Sequence, residues 1–193
     1  MAEVTINNSP VHSDIIITYP YGVADEGYSC GWHTGIDFAP YGDTENNPII
    51  YPVKDGQVVY VNLTTTPALG VQVQILDDEG HYWRYCHMVA GSVQVSVGDT
   101  VTTQTPIGRM GATGNVTGRH LHLECSTTQA WQCSTFLNPC EILGIPNVDN
   151  TIIKYDGSVE PPEPPEPPVT NVIKKFPWQI FTRNIRKKRR NYE

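Results

Sequence analysis

Helical periodicity is missing from most of this 193-residue chain. Apolar residues do not recur three and four apart over any long window, which argues against a helical bundle. No apolar run approaches the roughly 20 residues of a membrane-spanning helix. The opening MAEVTINNSP lacks the charged start and apolar core of a secretory leader. Synthesis in the cytosol is therefore expected, with export or release left to another agent. Cations are scarce in the first 160 residues, five against seventeen Asp and Glu, and so acidic a body gives no reason to expect nucleic acid as a partner. Cysteine is sparse and odd in number: Cys30, Cys86, Cys125, Cys133 and Cys140. An odd count without a leader favours reduced thiols, and no disulfide is assigned. No internal repeat of 20–50 residues is visible.

What is present reads as strands joined by turns. VQVQIL (71–76) alternates strictly, with Val71, Val73 and Ile75 on one face and Gln72 and Gln74 on the other. QVVYV (57–61), HYWRYCH (81–87), SVQVSV (92–97) and RHLHLE (119–124) are similar short runs. Turn signals separate them, among them Lys54-Asp55-Gly56 and Asp77-Asp78-Glu79-Gly80. Residues 135–143 allow one short turn of helix. The expected class is all-β and mostly antiparallel, with one sheet face solvated. The organisation divides into a body at 1–155, a Pro/Glu-rich linker at 156–168 and a basic aromatic tail at 169–193. VEPPEPPEPP should be extended polyproline, about 3.1 Å per residue, acting as a semi-rigid spacer. The tail interleaves Ile173, Phe176, Trp178, Ile180 and Phe181 with a dense basic cluster. It reads either as a solubilising end or as an interfacial peptide for anionic lipid or wall polymers such as teichoic acid.

Five side chains carry the chemistry: His33, Asp37, His87, His120 and His122. They sit in GWHTGIDF, RYCHM and GRHLHLE. A catalytic zinc site uses three protein ligands, imidazole nitrogens and carboxylate oxygens, and keeps one position for water. Five candidates for three ligand roles leave two histidines for proton transfer. On a strand His120 and His122 share a face, while Arg119, Leu121 and Leu123 share the other. Spacing alone does not say which member of this H-x-H pair holds metal and which handles water; two polar residues on a wet face is the plainer alternative. Glycines around His33 and Asp37 place that pair on a loop entering a strand. His87 closes the run His81, Trp83, Tyr85, His87 on one strand face. His12 and His81 are given no role. Glu124 shares the face of His120 and His122, and solvation at the strand end is expected ahead of a bond to either. Cys30-x2-His33 with His122-x2-Cys125 imitates a structural Cys2His2 zinc site, but the odd spacing of His122 and Cys125 puts them on opposite sides of a strand.

These segments, in this order, resemble the lysostaphin/LytM-type zinc endopeptidases that cut peptidoglycan cross-bridges. GWHTGIDF is similar to the family's H-x-G-x-D start. PIIYPVKDGQVVYV, GVQVQILDDEGHYWRYCHM and VSVGDTVTTQTPIGRMGATGNVTGRHLHLE resemble the stretches that follow, over roughly residues 15–146. Met88 stands where leucine is usual, and Cys86 and Cys125 are not family features. The resemblance implies a mostly antiparallel β-sheet sandwich (the duplicated hybrid motif) with long loops around a zinc groove. It implies one Zn2+ per chain held by His33, Asp37 and His122. It assigns proton transfer to His87 and His120. His120 is taken as base toward the water and His87 as donor to the leaving amine or as a support for the oxyanion, and the sequence leaves the two jobs interchangeable. The implied substrate is a peptidoglycan stem or cross-bridge. Without a leader, such a protein reads as a phage or prophage lysin, released through a pore or carried in a virion to the bacterial wall. A non-hydrolytic wall-binding or regulatory module on the same fold is the alternative. A lipoyl-type carrier, suggested by Val97-Gly98-Asp99-x-Val101, would need a lysine at a hairpin tip, for which Lys54 is the sole candidate among the turns.

Overall fold

The computed structural model describes residues 1–66 and 68–157. The predicted linker and tail therefore lie, from residue 158 onward, outside the described residues. Twelve strands and one short helix are present among the described residues. In chain order they are β1 (Glu3–Ile6), β2 (Ile15–Tyr19), β3 (Ile36–Pro40), β4 (Ile49–Ile50), β5 (Gly56–Asn62), β6 (Val71–Asp77), β7 (Tyr82–Met88), β8 (Thr100–Val101), β9 (Gly108–Arg109), β10 (Leu121–Ser126), β11 (Phe136–Leu137), α1 (Pro139–Leu143) and β12 (Ile152–Tyr155). One large sheet runs β1-β12-β2-β3-β10-β7-β6-β5-β8, with β11 added to β10, and β4 pairs with β9 in a second, small sheet. Among the described residues only the β1–β12 pairing is parallel. The all-β, mostly antiparallel expectation holds, and the single helical turn falls where it was expected. α1 is capped by Asn138, whose side chain accepts from the Cys140 amide at 3.0 Å, and it stops at Gly144 in the left-handed region.

The core lies on one face of the central strands. Ile36 and Phe38 of β3, Leu121 and Leu123 of β10, Trp83 and Tyr85 of β7, and Val71, Val73 and Ile75 of β6 are all fully buried. Burying a side chain of this size is worth about 1.5–3 kcal/mol. Their polar ends are satisfied: Trp83 Nε1 donates to Asp77 Oδ2 at 2.8 Å, and Tyr85 Oη accepts from the Val53 amide at 2.9 Å.

Two expectations fail. SVQVSV is not a strand. Its Val93 and Val95 pack on the core while Val97 is exposed, so its alternation reports packing on one side without a strand partner. The second sheet face is not solvated at its centre either. Gln72, Gln74 and Glu124 are buried: Thr34, ahead of β3, donates to Glu124, and Trp131, after β10, donates to Gln74, which in turn donates to Gln72.

Candidate metal centre and active-site cleft

Register brings the first two ligand candidates together. Asp37 of β3 is the direct cross-strand partner of His122 of β10. Direct partners share a face at close range, so Asp37 Oδ1 lies 2.8 Å from His122 Nδ1. His33 enters from the loop before β3, tied by its amide to the Val23 carbonyl. Its Nε2 sits 3.0 Å from His122 Nδ1 and 3.3 Å from Asp37 Oδ1. Gly35 makes that approach feasible: a Cβ there would meet the Leu123 carbonyl oxygen at 2.5 Å and His122 Cε1 at 2.9 Å.

The three donor atoms are 2.8–3.3 Å apart. Donors about 2.0–2.1 Å from a tetrahedral ion stand about 3.3 Å from one another, so the triangle fits zinc. Its electrostatics fit too. Three lone-pair-bearing atoms facing one another repel unless a proton or a cation lies among them. The far side of the His33 imidazole is hydrogen-bonded, and that of His122 faces a carboxylate. His33 Nδ1 donates to the Pro20 carbonyl at 2.9 Å, leaving Nε2 for the centre. His122 Nε2 lies 3.1 Å from Glu124 Oε1, off the line of a good hydrogen bond, and has no other partner. Such outer contacts fix the tautomer of a ligating imidazole.

Glu124 thus departs from expectation. It is 1 % exposed rather than solvated. Thr34 Oγ1 donates to its Oε1 at 2.5 Å, and Arg84 pairs with its Oε2 through Nε and Nη2. Burial pushes its carboxyl up, but His122 and Arg84 outweigh that and hold it at about 2. Burial likewise opposes ionisation of Asp37, whose bonds from His122 and His33 nonetheless hold it well below the usual carboxylate range. Without a metal, burial would lower His122, yet the Glu124 charge and the bond to Asp37 raise it to about 9. A cation is favoured at this point, whether proton or metal.

His87 and His120 stand beside the triad, their ring centroids 4.8 Å apart and His87 5.8 Å from His122. Each has Nδ1 engaged by a carbonyl, Thr113 at 2.8 Å and Gly118 at 3.0 Å. Their Nε2 atoms are left for other work, and that of His120 lies 3.6 Å from Asp37 Oδ2. Burial, then the His122 charge, lowers His87 to about 4, so it is neutral near pH 7. His87 does not share the face of Trp83 and Tyr85 as its spacing suggested. Its φ is 59°, and the β6–β7 register shifts between Val71 and Val73. This irregularity turns His87 out of the core and sends Met88 in.

Asp37, His87, His120 and His122 open on a cleft of about 700 Å³, also lined by Tyr28, Arg84 and Trp131, while His33 is fully buried. His81, given no role, instead pairs with Asp77 at 3.3 Å, and His12 stacks between Tyr51 and Tyr155. The Cys2His2 alternative is closed, since Cys125 faces the core and Cys30 is bonded to Cys133. That disulfide corrects the expectation of reduced thiols. An odd count requires one free cysteine and no more, and folding brings these two loops to a Cα separation of 5.5 Å across 103 residues of sequence. Cys86, Cys125 and Cys140 are free and buried. Arg84, Thr34 and Trp131 were not anticipated. Arg84 stands two residues before Cys86, the cross-strand partner of His122, but that pairing is invisible until register is known.

Fold and donor set together define a metal-dependent hydrolase. Residues 31–133, more than half of the chain, match peptidase family M23, and the chain belongs to that family. It is a metalloendopeptidase, and its His33–Asp37–His122 set is one that zinc fits. Among solved structures it is similar to the catalytic domain of the antimicrobial peptidase lysostaphin from Staphylococcus simulans, at 28 % identity over 66 % of this chain and 91 % of that one, TM-score 0.55. It is also similar to a zinc-containing peptidase from Vibrio cholerae, at 29 % identity over 64 % of this chain, TM-score 0.51. There the match spans only 37 % of the relative. A third is the catalytic domain of a prophage-encoded M23 protein, EnpA, from Enterococcus faecalis, at 27 % identity over 65 % and 88 %, TM-score 0.52.

Proposed function

We propose that this protein is a zinc-dependent endopeptidase that hydrolyses peptide cross-links of bacterial peptidoglycan. The observation that carries the reading is the convergence of His33, Asp37 and His122, of which Asp37 and His122 open with His87 and His120 on one cleft of an M23 chain. In this reading His33, Asp37 and His122 hold the ion. When bound, zinc supplies Lewis-acid polarisation of the scissile carbonyl and acidifies a water. The remaining work falls to the chain. Glu124 holds negative charge behind the triad, beside His122. His120 accepts the proton of the attacking water at Nε2, the Gly118 carbonyl holding its Nδ1–H. His87, its Nδ1–H fixed on the Thr113 carbonyl, takes that proton at Nε2 from His120, whose ring centroid is 4.8 Å away, and hands it to the departing amine. Each such transfer is worth about 10²–10⁴ in rate. An extended substrate would lie along the cleft.

The structural likeness to lysostaphin and to a prophage-encoded relative supports action on bacterial walls and a phage or prophage origin. The Cys30–Cys133 bond accords with a site of action outside the cytosol, since disulfides persist in oxidising surroundings. Residues 169–193 would then anchor the enzyme to anionic lipid or wall polymer.

The test is turbidity loss of a wall suspension with and without a chelator, followed by mass spectrometry of the released peptides. His122→Ala should lose zinc by metal analysis. His87→Ala should keep zinc and lose turnover. A His87→Ala protein free of zinc would overturn the division of roles, and walls left intact by the zinc-loaded protein would overturn the reading itself.

A further inference from the structure

Among the described residues, three other than glycine have a left-handed backbone: His87, Trp131 and Asn150. Two of them, His87 and Trp131, line the cleft. A bulky aromatic at φ 50° is an outlier that persists only where its surroundings over-determine it, and such outliers gather at functional sites. Trp131 is over-determined in this way. One ring face rests on the Arg84 guanidinium, whose Cζ is 4.0 Å from the ring centroid. The Nε1–H donates to Gln74 Oε1 at 3.1 Å. Two residues further on, Cys133 is bonded to Cys30. Cys30 in turn lies two residues beyond Tyr28, which lines the same cleft with its ring 5.1 Å from His33. The disulfide therefore joins the two irregular segments that carry Tyr28 and Trp131.

We propose that Trp131 is a specificity-determining residue, a fixed aromatic platform on which the peptide lies beside the scissile bond, and that the Cys30–Cys133 link is the positioning device that keeps it there. This rests on the reading of the cleft as the site of peptide hydrolysis. The chemistry suits a peptide. An indole presents a broad apolar face for peptide planes and Cα–H groups at small entropic cost. Arg84 is already committed to Glu124, so it serves here as the backing of the ring. A wall that cannot recede admits an extended chain and rejects what is too thick for the gap. Without the disulfide, the loop after β10 would keep local bonds, such as Thr127 to Thr135, but lose its covalent tie to the Tyr28 segment. The ring would then be ordered only on binding, at a cost in affinity.

The experiment uses the zinc-loaded full chain and a soluble cross-linked muropeptide dimer. Turnover is followed by release of amino groups, and binding by calorimetry in a His87→Ala background. Trp131→Ala should raise KM and Kd about tenfold or more, with kcat within about threefold and zinc stoichiometry unchanged. Trp131→Phe should retain most of the binding. The double variant Cys30→Ser/Cys133→Ser should raise KM when Trp131 is present and add nothing when residue 131 is already alanine. Unchanged KM and Kd in Trp131→Ala, or a fall in kcat accompanied by zinc loss, would overturn the platform. Additive effects of the two perturbations would overturn the role given to the disulfide. If the wild-type protein cuts no dimer, the hydrolytic reading fails separately, while calorimetry still decides whether Trp131 binds peptide.

Discussion

Cutting the Cys30–Cys133 link should cost this protein a large share of its stability. The bond closes a loop with a sequence separation of 103 residues. A cross-link removes loop-closure entropy from the denatured chain, about 2.1 + 1.5R ln n cal/mol/K, which for this loop gives about 4.7 kcal/mol at 25 °C. That figure is a ceiling, because denatured chains keep residual structure. For a chain of this size each kcal/mol moves Tm by about 2–4 °C, so a fall of about 10–19 °C is the upper range. The perturbation should be the Cys30→Ser/Cys133→Ser double variant rather than a thiol reductant, since thiolates are themselves zinc ligands. The assay is calorimetric melting of zinc-loaded wild type and variant, with zinc content checked in both. Urea titration adds an independent reading: the unlinked denatured chain exposes more surface, so m should rise. Either single cysteine variant should match the double, because the link and not the side chain carries the effect. A Tm shift under about 3 °C with unchanged m would refute the reasoning.

Three further outcomes follow from other parts of the structure. Glu124→Gln keeps the shape beside His122 but removes the charge, and should weaken zinc binding about 10–100-fold in chelator competition; unchanged affinity would remove Glu124 from the metal's support. Gly111→Ala places a Cβ 2.5 Å from the Val89 nitrogen and 2.8 Å from the His87 oxygen, both backbone, so the His87 peptide must shift. Zinc content should stay normal while kcat falls about 10²-fold, and a kcat within threefold of wild type would show that His87 tolerates displacement. Asp77 is pushed up by burial, but bonds from Trp83 and His81 prevail and hold it below its ordinary 3.8. A depressed carboxyl contributes stability in full above its unfolded value and loses it as pH falls through the folded one. Acid unfolding below about pH 3.8 should therefore be shallower in Asp77→Asn, and equal slopes would dismiss the assignment.

Local chemistry was legible in the sequence and long-range register was not. Alternation in GRHLHLE placed His122 opposite Leu121 and Leu123, and those leucines are in the core as read. The glycines of GWHTGIDF announced a close backbone approach, which Gly35 makes against β10. Nothing local could announce that Asp37 pairs with His122, or Arg84 with Glu124, because those partners are set by the order β3-β10-β7. Glu124 was misjudged for the same reason: Thr34 and Arg84, which bond it, are distant in sequence. The disulfide was hidden by distance along the chain. SVQVSV shows the opposite failure, a clean local signal with no strand to meet it.

His87 marks the point where sheet geometry and site chemistry conflict. A flat antiparallel sheet offers one face for the triad, and Asp37 and His122 take it by pairing directly. The next place on that face of β7, opposite His122, is Cys86, which is fully buried. A histidine one residue further on belongs by alternation to the core. Turning it outward needs a left-handed residue, which costs about 1–3 kcal/mol for a side chain of this kind. The surroundings offset that cost. The His87 amide is bound by the Leu69 carbonyl at 3.0 Å and its Nδ1–H by the Thr113 carbonyl at 2.8 Å. Both partners depend on glycine: at Gly70 a Cβ would collide with Thr113, and at Gly114 with Ala68. Met88, displaced inward by the same irregularity, fills the core beneath and is fully buried. The glycines of LGVQVQIL and GATGNVTG thus act on the site without touching the triad. They let two loops close on each other, and that closure turns toward the cleft the one histidine that alternation would have sent into the core.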